Sequence, residues 1–336
     1  MVADKRKIDM RLRWYAMTLI GALVMPSLNA QSVDYSVVSV PEEAGAEFVN
    51  ISQPTDFVCM PEVKRSSRSL NWYTNKIIDI SVDGNSIAYL SYRNNMTNIF
   101  VKDLRRQGTS VQKTNRQAVL DFSFTPDGKN IVYSEKRGKT NHIFLTPAGK
   151  GALNRQITSG NLDYSPIQSY DGSLIFFARQ ENSGVSIWSH DLKNNFLTSY
   201  SQGFNPCPVS GENAYVCVRT NGMGGNEIWK VNYETGVEEC IVSSADHSFT
   251  TPSISPDGQW LLFVGSTKIE QPTFTYFNTD IFVCRMDGTD FTQLTYHAAD
   301  DLSPVWSKDG QYIYFISQRG SSEAQANIWR MRFDLW

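Results

Sequence analysis

The 336-residue sequence is poor in the residue types from which most catalytic and metal centres are built. It holds four histidines (His142, His190, His247, His297) and five cysteines (Cys59, Cys207, Cys217, Cys240, Cys284). No C-x-x-C pair and no Cys/His group at zinc-ligand spacing occurs, which argues against structural zinc. The nucleophile elbow G-x-S-x-G is missing too: after the G-x-S starts at Gly84, Gly108, Gly184 and Gly320, the required glycine is Ala88, Gln112, Trp188 and Ala324. Charge of one sign is also lacking. With 31 basic against 34 acidic residues and a formal net charge of -3, there is no field to gather a polyanion, so nucleic acid is a poor partner. What the chain does have is apolar bulk, 41% hydrophobic and 12% aromatic, enough for one large core or two modest ones.

The N-terminus carries Lys5, Arg6, Lys7, Arg11 and Arg13, then the apolar run "WYAMTLIGALVM" and the small-residue exit "PSLNA". That order predicts an export signal over residues 1–30, cleaved after Ala30, with Met1 or Met10 as the start. The run is shorter than the roughly 20 residues of a spanning helix, so no stable membrane span is expected after cleavage. In an exported chain an odd cysteine count leaves at least one thiol unpaired. Cys207 and Cys217 flank a hairpin-like "PVSGENAYV", and either a bridge between them or buried free thiols fits the sequence.

The chain repeats itself. A turn signal recurs as "SVDGNS" at Asp83, "TPDGKN" at Asp127, "SYDGSL" at Asp171, a degraded "VSGENA" at Gly211, "SPDGQW" at Asp257 and "SKDGQY" at Asp309, with separations of 44, 44, 40, 46 and 52 residues. Each turn is followed by an apolar run ("IAYL", "IVYS", "LIFF", "AYVC", "LLFV", "IYFI") that reads as a buried strand. Farther on, each copy carries isoleucine then an aromatic, from Ile99-Phe100 to Ile328-Trp329. This register assigns Trp188, Trp229 and Trp329 to the core between repeats rather than to a stacking platform. Four copies have a proline five residues before the anchor (Pro166, Pro206, Pro252, Pro304), where the first two have Ile78 and Phe122.

One repeat is therefore strand, Asp-Gly turn, strand, loop, strand, turn, strand. A single such sheet cannot bury both its faces, whereas sheets set radially can. The predicted fold is all-β, a six-bladed β-propeller of four-stranded antiparallel blades. The last copy lacks its fourth strand, and "AEFVNIS" (46–52) stands before the first copy without a partner, so it is predicted to complete the final blade and close the ring. The domain reading is 1–30 signal peptide, 31–70 N-terminal segment with the closing strand, and 71–336 propeller.

"FTPDGKNIVYSEKRGKTNHIFL" and "PVWSKDGQYIYFISQRGSSEAQANIWRM" resemble the WD-like propeller repeats of the TolB family, the periplasmic component of the Tol-Pal system. The likeness spans about residues 71–336, and the repeat is also similar to those of tricorn-type and prolyl oligopeptidase propellers and oligogalacturonate lyases. The resemblance implies an exported, periplasmic protein-interaction module. TolB carries an α/β domain ahead of its propeller, and its extreme N-terminus contacts TolA. Residues 31 to about 72 are too short for that domain, so the TolA connection is not expected here.

His142 and His190 sit beside the Ile-aromatic positions and read as structural or surface residues. His247 and His297 lie in "SADHSFTTP" and "YHAADDLSP", the stretches that lead into first strands. With Asp163, Asp300 and Asp301 they are the candidate ligand-binding residues at the channel mouth; solvated loop residues with turn chemistry are the plainer alternative. No catalytic residue is assigned. No cofactor is called for, apart from a divalent cation that these side chains would hold in the channel. The expected function is a monomeric, non-catalytic module binding another envelope protein or peptide; the alternative is an oligogalacturonate-lyase-like carbohydrate enzyme with a metal at the channel mouth. The "SPDG" turn is expected to be scaffold, with any site some ten residues upstream, near His247.

Overall fold

The computed structural model describes residues 35–65, 72–106, 108–149, 154–270 and 275–334; the leader, its cleavage site and the alternative start at Met10 lie outside them. Described residues are almost entirely strand and turn, with two short 3-10 turns at Pro41–Glu43 and Pro54–Asp56. No helix among them is long and apolar enough to cross a membrane.

The strands pair in the order in which they occur. Ile78–Ile80, Ser86–Arg93, Met96–Asp103 and Val111–Gln112 form the first four-stranded antiparallel unit. The units that begin at Val119–Phe124 and at Leu162–Gln168 follow the same plan and share one longer sheet, bridged by a single parallel pairing of Asn141 with Leu162. Four-stranded sheets that begin at Phe204–Pro208 and at His247–Ile254 come next. The last sheet contains Asp301–Trp306, Tyr312–Ser317 and Asn327–Arg332, and its fourth strand is Phe48–Asn50 from the N-terminal segment, with Phe48 opposite Met331 and Asn50 opposite Trp329. The orphan segment at 46–52 thus pairs where the truncated last repeat left an edge.

Burial explains the uninterrupted apolar runs. A strand that is covered on one face alternates, but Ile87, Ala88, Tyr89 and Leu90 are all buried, as are Ile175, Phe176, Phe177 and Ala178. Both faces of each sheet are therefore covered. One core cluster joins Ile87 and Tyr89 of the first unit to Ile131 and Tyr133 of the second and to Tyr314 and Ile316 of the last. Trp329 is buried in this packing, while Trp188 and Trp229 are half-buried beneath the guanidinium groups of Arg179 and Arg219, at 4.6 and 5.0 Å. All five cysteines are free thiols, and Cys207, Cys217 and Cys284 are used as small buried apolar groups.

The Asp-Gly turn is a small hydrogen-bonded device. Ser255 Oγ donates to Asp257 Oδ1 (2.5 Å), Asp257 Oδ1 accepts from Gln259 N (3.0 Å), and Ser255 Oγ accepts from Trp260 N (2.9 Å). Gly258, at φ +73°, completes the reversal. The same serine or threonine recurs as Ser81, Thr125, Ser169 and Ser307.

The recurrent proline has a backbone cause. Ser165, Asn205, Thr251 and Ser303 precede Pro166, Pro206, Pro252 and Pro304, and all four have positive φ, near 50°. At each of the four the strand slips register against its neighbour. A proline within a ladder is tolerated at a bulge, where its missing N–H is not needed, and a residue before proline is kept out of the helical region.

The bulges turn side chains toward the neighbouring unit. Asn205 Nδ2 donates to Ser165 Oγ (3.1 Å), and Asn205 Oδ1 accepts from Thr250 Oγ1 (2.9 Å). Ser303 Oγ donates to Asn75 O (2.9 Å) and accepts from Ile77 N (3.0 Å). Where the proline is absent, aspartates do the same work: Asp79 Oδ2 accepts from Phe124 N (2.8 Å) and Asp121 Oδ2 from Ser165 N (2.9 Å). Trp306 Nε1 donates to Ser253 O (3.1 Å).

Asn205 is thus held from two sides. Asn205→Gly keeps the positive φ but deletes both bonds between units, and we expect a loss of about 1–3 kcal/mol at two hydrogen bonds' worth of stability. Urea unfolding at an unchanged slope checks this.

Candidate functional site

The first strands of the units converge on one cavity of about 260 Å³, with Asp79, Phe122, Gln168, Cys207, Ser253 and Trp306 each coming from a different unit. Lys76 Nζ lies 3.0 Å from Asp79 Oδ1 on its wall. Asp121 also lines it, and burial pushes this carboxyl up to about 6, against the opposing hydrogen bonds from Ser134 Oγ and Ser165 N.

One end of the cavity is rimmed by the turns themselves. The residue after the serine or threonine of the turn is Val82, Pro126, Tyr170, Pro256 or Lys308, and all five line the cavity. Tyr170 is 49% exposed, and Pro256 and Lys308 are exposed as well. The result is a crown of proline, aliphatic and aromatic side chains with one lysine. The turn expected to be pure scaffold therefore also presents surface, through a residue that varies from copy to copy while its neighbours do not.

Three of these strands, from the second, third and fourth units, also line a second cavity of about 640 Å³. Leu120, Tyr164 and Phe204 line the second; the next residues, Asp121, Ser165 and Asn205, line the first. The two cavities lie back to back across the bulges.

The five residues singled out from the sequence are not gathered at either one. Asp163 is fully buried and takes both oxygens' bonds from Arg179, at 2.7 and 3.0 Å. His247 Nδ1 lies 2.8 Å from Thr267 Oγ1, and its ring packs beside Phe249, Phe282 and Phe291. Burial holds its imidazole below the usual value. Gly265 makes room in this cluster: a Cβ there would meet Phe282 at 2.5 Å.

His297, Asp300 and Asp301 do come together, as an anchor for the N-terminal segment. At its centre is the fully buried Arg319, which sequence reasoning missed because its partners Glu43 and Val38 lie 276 and 281 residues away. Its guanidinium donates to Val38 O (3.0 Å), to both oxygens of Glu43 (3.0 and 3.1 Å) and to Asp301 Oδ2 (2.5 Å), and it stacks on Phe48 at 4.3 Å. Glu43 Oε1 also accepts from Tyr296 N (2.9 Å), and Asp300 Oδ1 accepts from Thr279 Oγ1 (2.5 Å). Burial, with Arg319's charge second, keeps His297 below the usual imidazole range. A buried ion set of this kind is destabilised most when one member is removed. Among the described residues no group of three or more His, Cys, Asp or Glu side chains is arranged to hold a metal.

Asp280 joins this set. Asn278 Nδ2 donates to its Oδ2 (3.0 Å), and burial and then Asp301 push the carboxyl up to about 9. A carboxyl with a folded pKa above its unfolded value, about 3.9, keeps a proton that the unfolded chain gives up, so it costs stability as pH rises from about 4 toward 9. Asp280→Asn should match the parent near pH 4 and become progressively more stable than it toward pH 9, measured as unfolding free energy against pH.

The model of the TolB beta propeller domain family matches residues 77–272, more than half of the chain. An Agrobacterium tumefaciens protein assigned as TolB is similar at 17% identity, over 78% of this chain and 93% of that one, with a TM-score of 0.58. TolB from Acinetobacter baumannii is similar at 19% identity over 74% of this chain, which spans 64% of that protein, with a TM-score of 0.59. An oligogalacturonate lyase from Vibrio parahaemolyticus matches at 10% identity over 86% of this chain and 98% of that one, with a TM-score of 0.52. At such identities the likeness is one of fold. The family match and the four-stranded sheets agree: this chain belongs to the TolB β-propeller domain family.

Proposed function

We propose that this chain is an exported, non-catalytic, six-bladed propeller with a closed ring, and that as a monomer it binds another envelope protein or peptide at the turn-rimmed end of its cavity. The observation that carries the reading is the rim: exposed Tyr170, Pro256 and Lys308 with half-buried Val82 and Pro126, over a cavity to which all the first strands contribute. Such a surface, mixed apolar and singly charged, suits a protein or peptide more than a small polar substrate.

Six blades and closure are supported by hydrogen bonds that run from each unit to the next. Successive units are joined through Asp79, Asp121, Asn205 with Ser165, Thr250 and Trp306, and the last is joined back to the first by Ser303. Phe48–Asn50 supplies the fourth strand of the last unit, so the two ends of the chain are held in one sheet. Export is supported by the basic, apolar and small-residue order of residues 1–30.

The lyase reading gains nothing from the site. Its metal would need a cluster of donors, whereas Asp301 is bonded to Arg319, Asp300 to Thr279 and His297 to Ala299 N, and His247 lies among phenylalanines.

A photo-crosslinking residue at position 126, in the rim, should capture a discrete partner from an envelope extract under native conditions. Adding Tyr170→Ser and Lys308→Glu should cut that capture at least tenfold with the unfolding midpoint unchanged. Capture that is absent, or indifferent to both substitutions, would sink the proposal.

A further inference from the structure

The second cavity, some 640 Å³ on the side away from the turns, is within the usual size of a ligand pocket and plays no part in the function proposed above. Its lining is chemically unlike the rim. Asn75, Asn141, Gln180 and Gln202 place four carboxamides on it, the last three from different strands, beside Tyr164 and Phe204.

Two of these amides are uncommitted. The side chains of Asn141, on the third strand of the second unit, and Gln202, at the end of the third unit, make no hydrogen bond within the described residues. A carboxamide both donates and accepts, so these two free amides suit a ligand that does the same.

The charges on the wall are already neutralised. Arg219 donates through Nη1 and Nη2 to the two oxygens of Glu238, each at 2.7 Å, and Glu62 has a partner of its own. An ionic ligand would thus find no free counter-charge. Nor is the hairpin at Glu181 and Gly184 open to an added peptide strand, because Gln180 Nε2 donates to both carbonyls, at 2.9 and 3.2 Å.

We infer that this cavity binds an uncharged oligosaccharide. A hydroxyl is donor and acceptor at one atom, a carboxamide offers both in a fork, and the Tyr164 and Phe204 rings supply the apolar surface against which a sugar's C–H face packs. The site is independent of the rim.

Isothermal titration of the purified protein with cello-, malto-, laminari- and chito-tetraose, with tetragalacturonate and an uncharged hexapeptide alongside, tests this. We expect at least one neutral tetrasaccharide to bind, and Asn141→Leu and Gln202→Leu each to weaken it tenfold or more, with the unfolding midpoint of at least one variant unchanged. Binding that neither substitution alters, no neutral sugar bound at millimolar concentration, or binding of the hexapeptide or tetragalacturonate alone would overturn the inference. The rim variants Tyr170→Ser and Lys308→Glu should leave sugar binding as it was, so either proposal can fail without the other.

Discussion

The structure depends on one constraint: each four-stranded sheet is apolar on both faces. Ile87 through Leu90 and Ile175 through Ala178 leave neither side of their strands fit for water. A lone sheet of this kind would have to aggregate or find a second layer, and the burial of a single Phe or Ile side chain is worth about 1.5–3 kcal/mol. Packing unit against unit covers both faces, and one core cluster brings together residues of the first, second and last units.

Packing alone does not say how neighbours are aligned. That is done by polar groups at and beside the strand bulges, which bond from one unit to another. The left-handed residue before each proline bends the strand so that Asn205 and Ser303 reach across to the next unit, and in the two copies without proline Asp79 and Asp121 reach instead. The proline pattern was visible as a repeat, and its partial loss in the first two copies was visible too. That aspartates take over there was not, since a hydrogen bond to the next unit has no local signature.

The polar groups at the other end of the strands have a different purpose. Arg319 draws Glu43 and Asp301 into the core and so fixes the N-terminal segment on the last sheet. His297 and Asp300 looked like ligand-binding residues because they stand in a stretch that leads into a first strand; in the structure this stretch meets the N-terminal segment, where Glu43 Oε1 accepts from Tyr296 N. The turns show the converse: their conserved Ser, Asp and Gly hold geometry, and the one variable position among them forms the rim.

The sequence alone determined the secondary structure, the period and the need for a strand from 46–52 in the last sheet, because turn chemistry and two-sided burial are local properties repeated often enough to read. It also made clear which chemistries were missing, since a nucleophile elbow or zinc spacing is written in consecutive residues. Only the tertiary structure decided which polar side chains face a cavity and which are spent on each other. Asp163 meets Arg179 across a hairpin, Arg319 meets Glu43 from 276 residues away, and Asn141 and Gln202 come to line one cavity only when the strands that carry them are folded together.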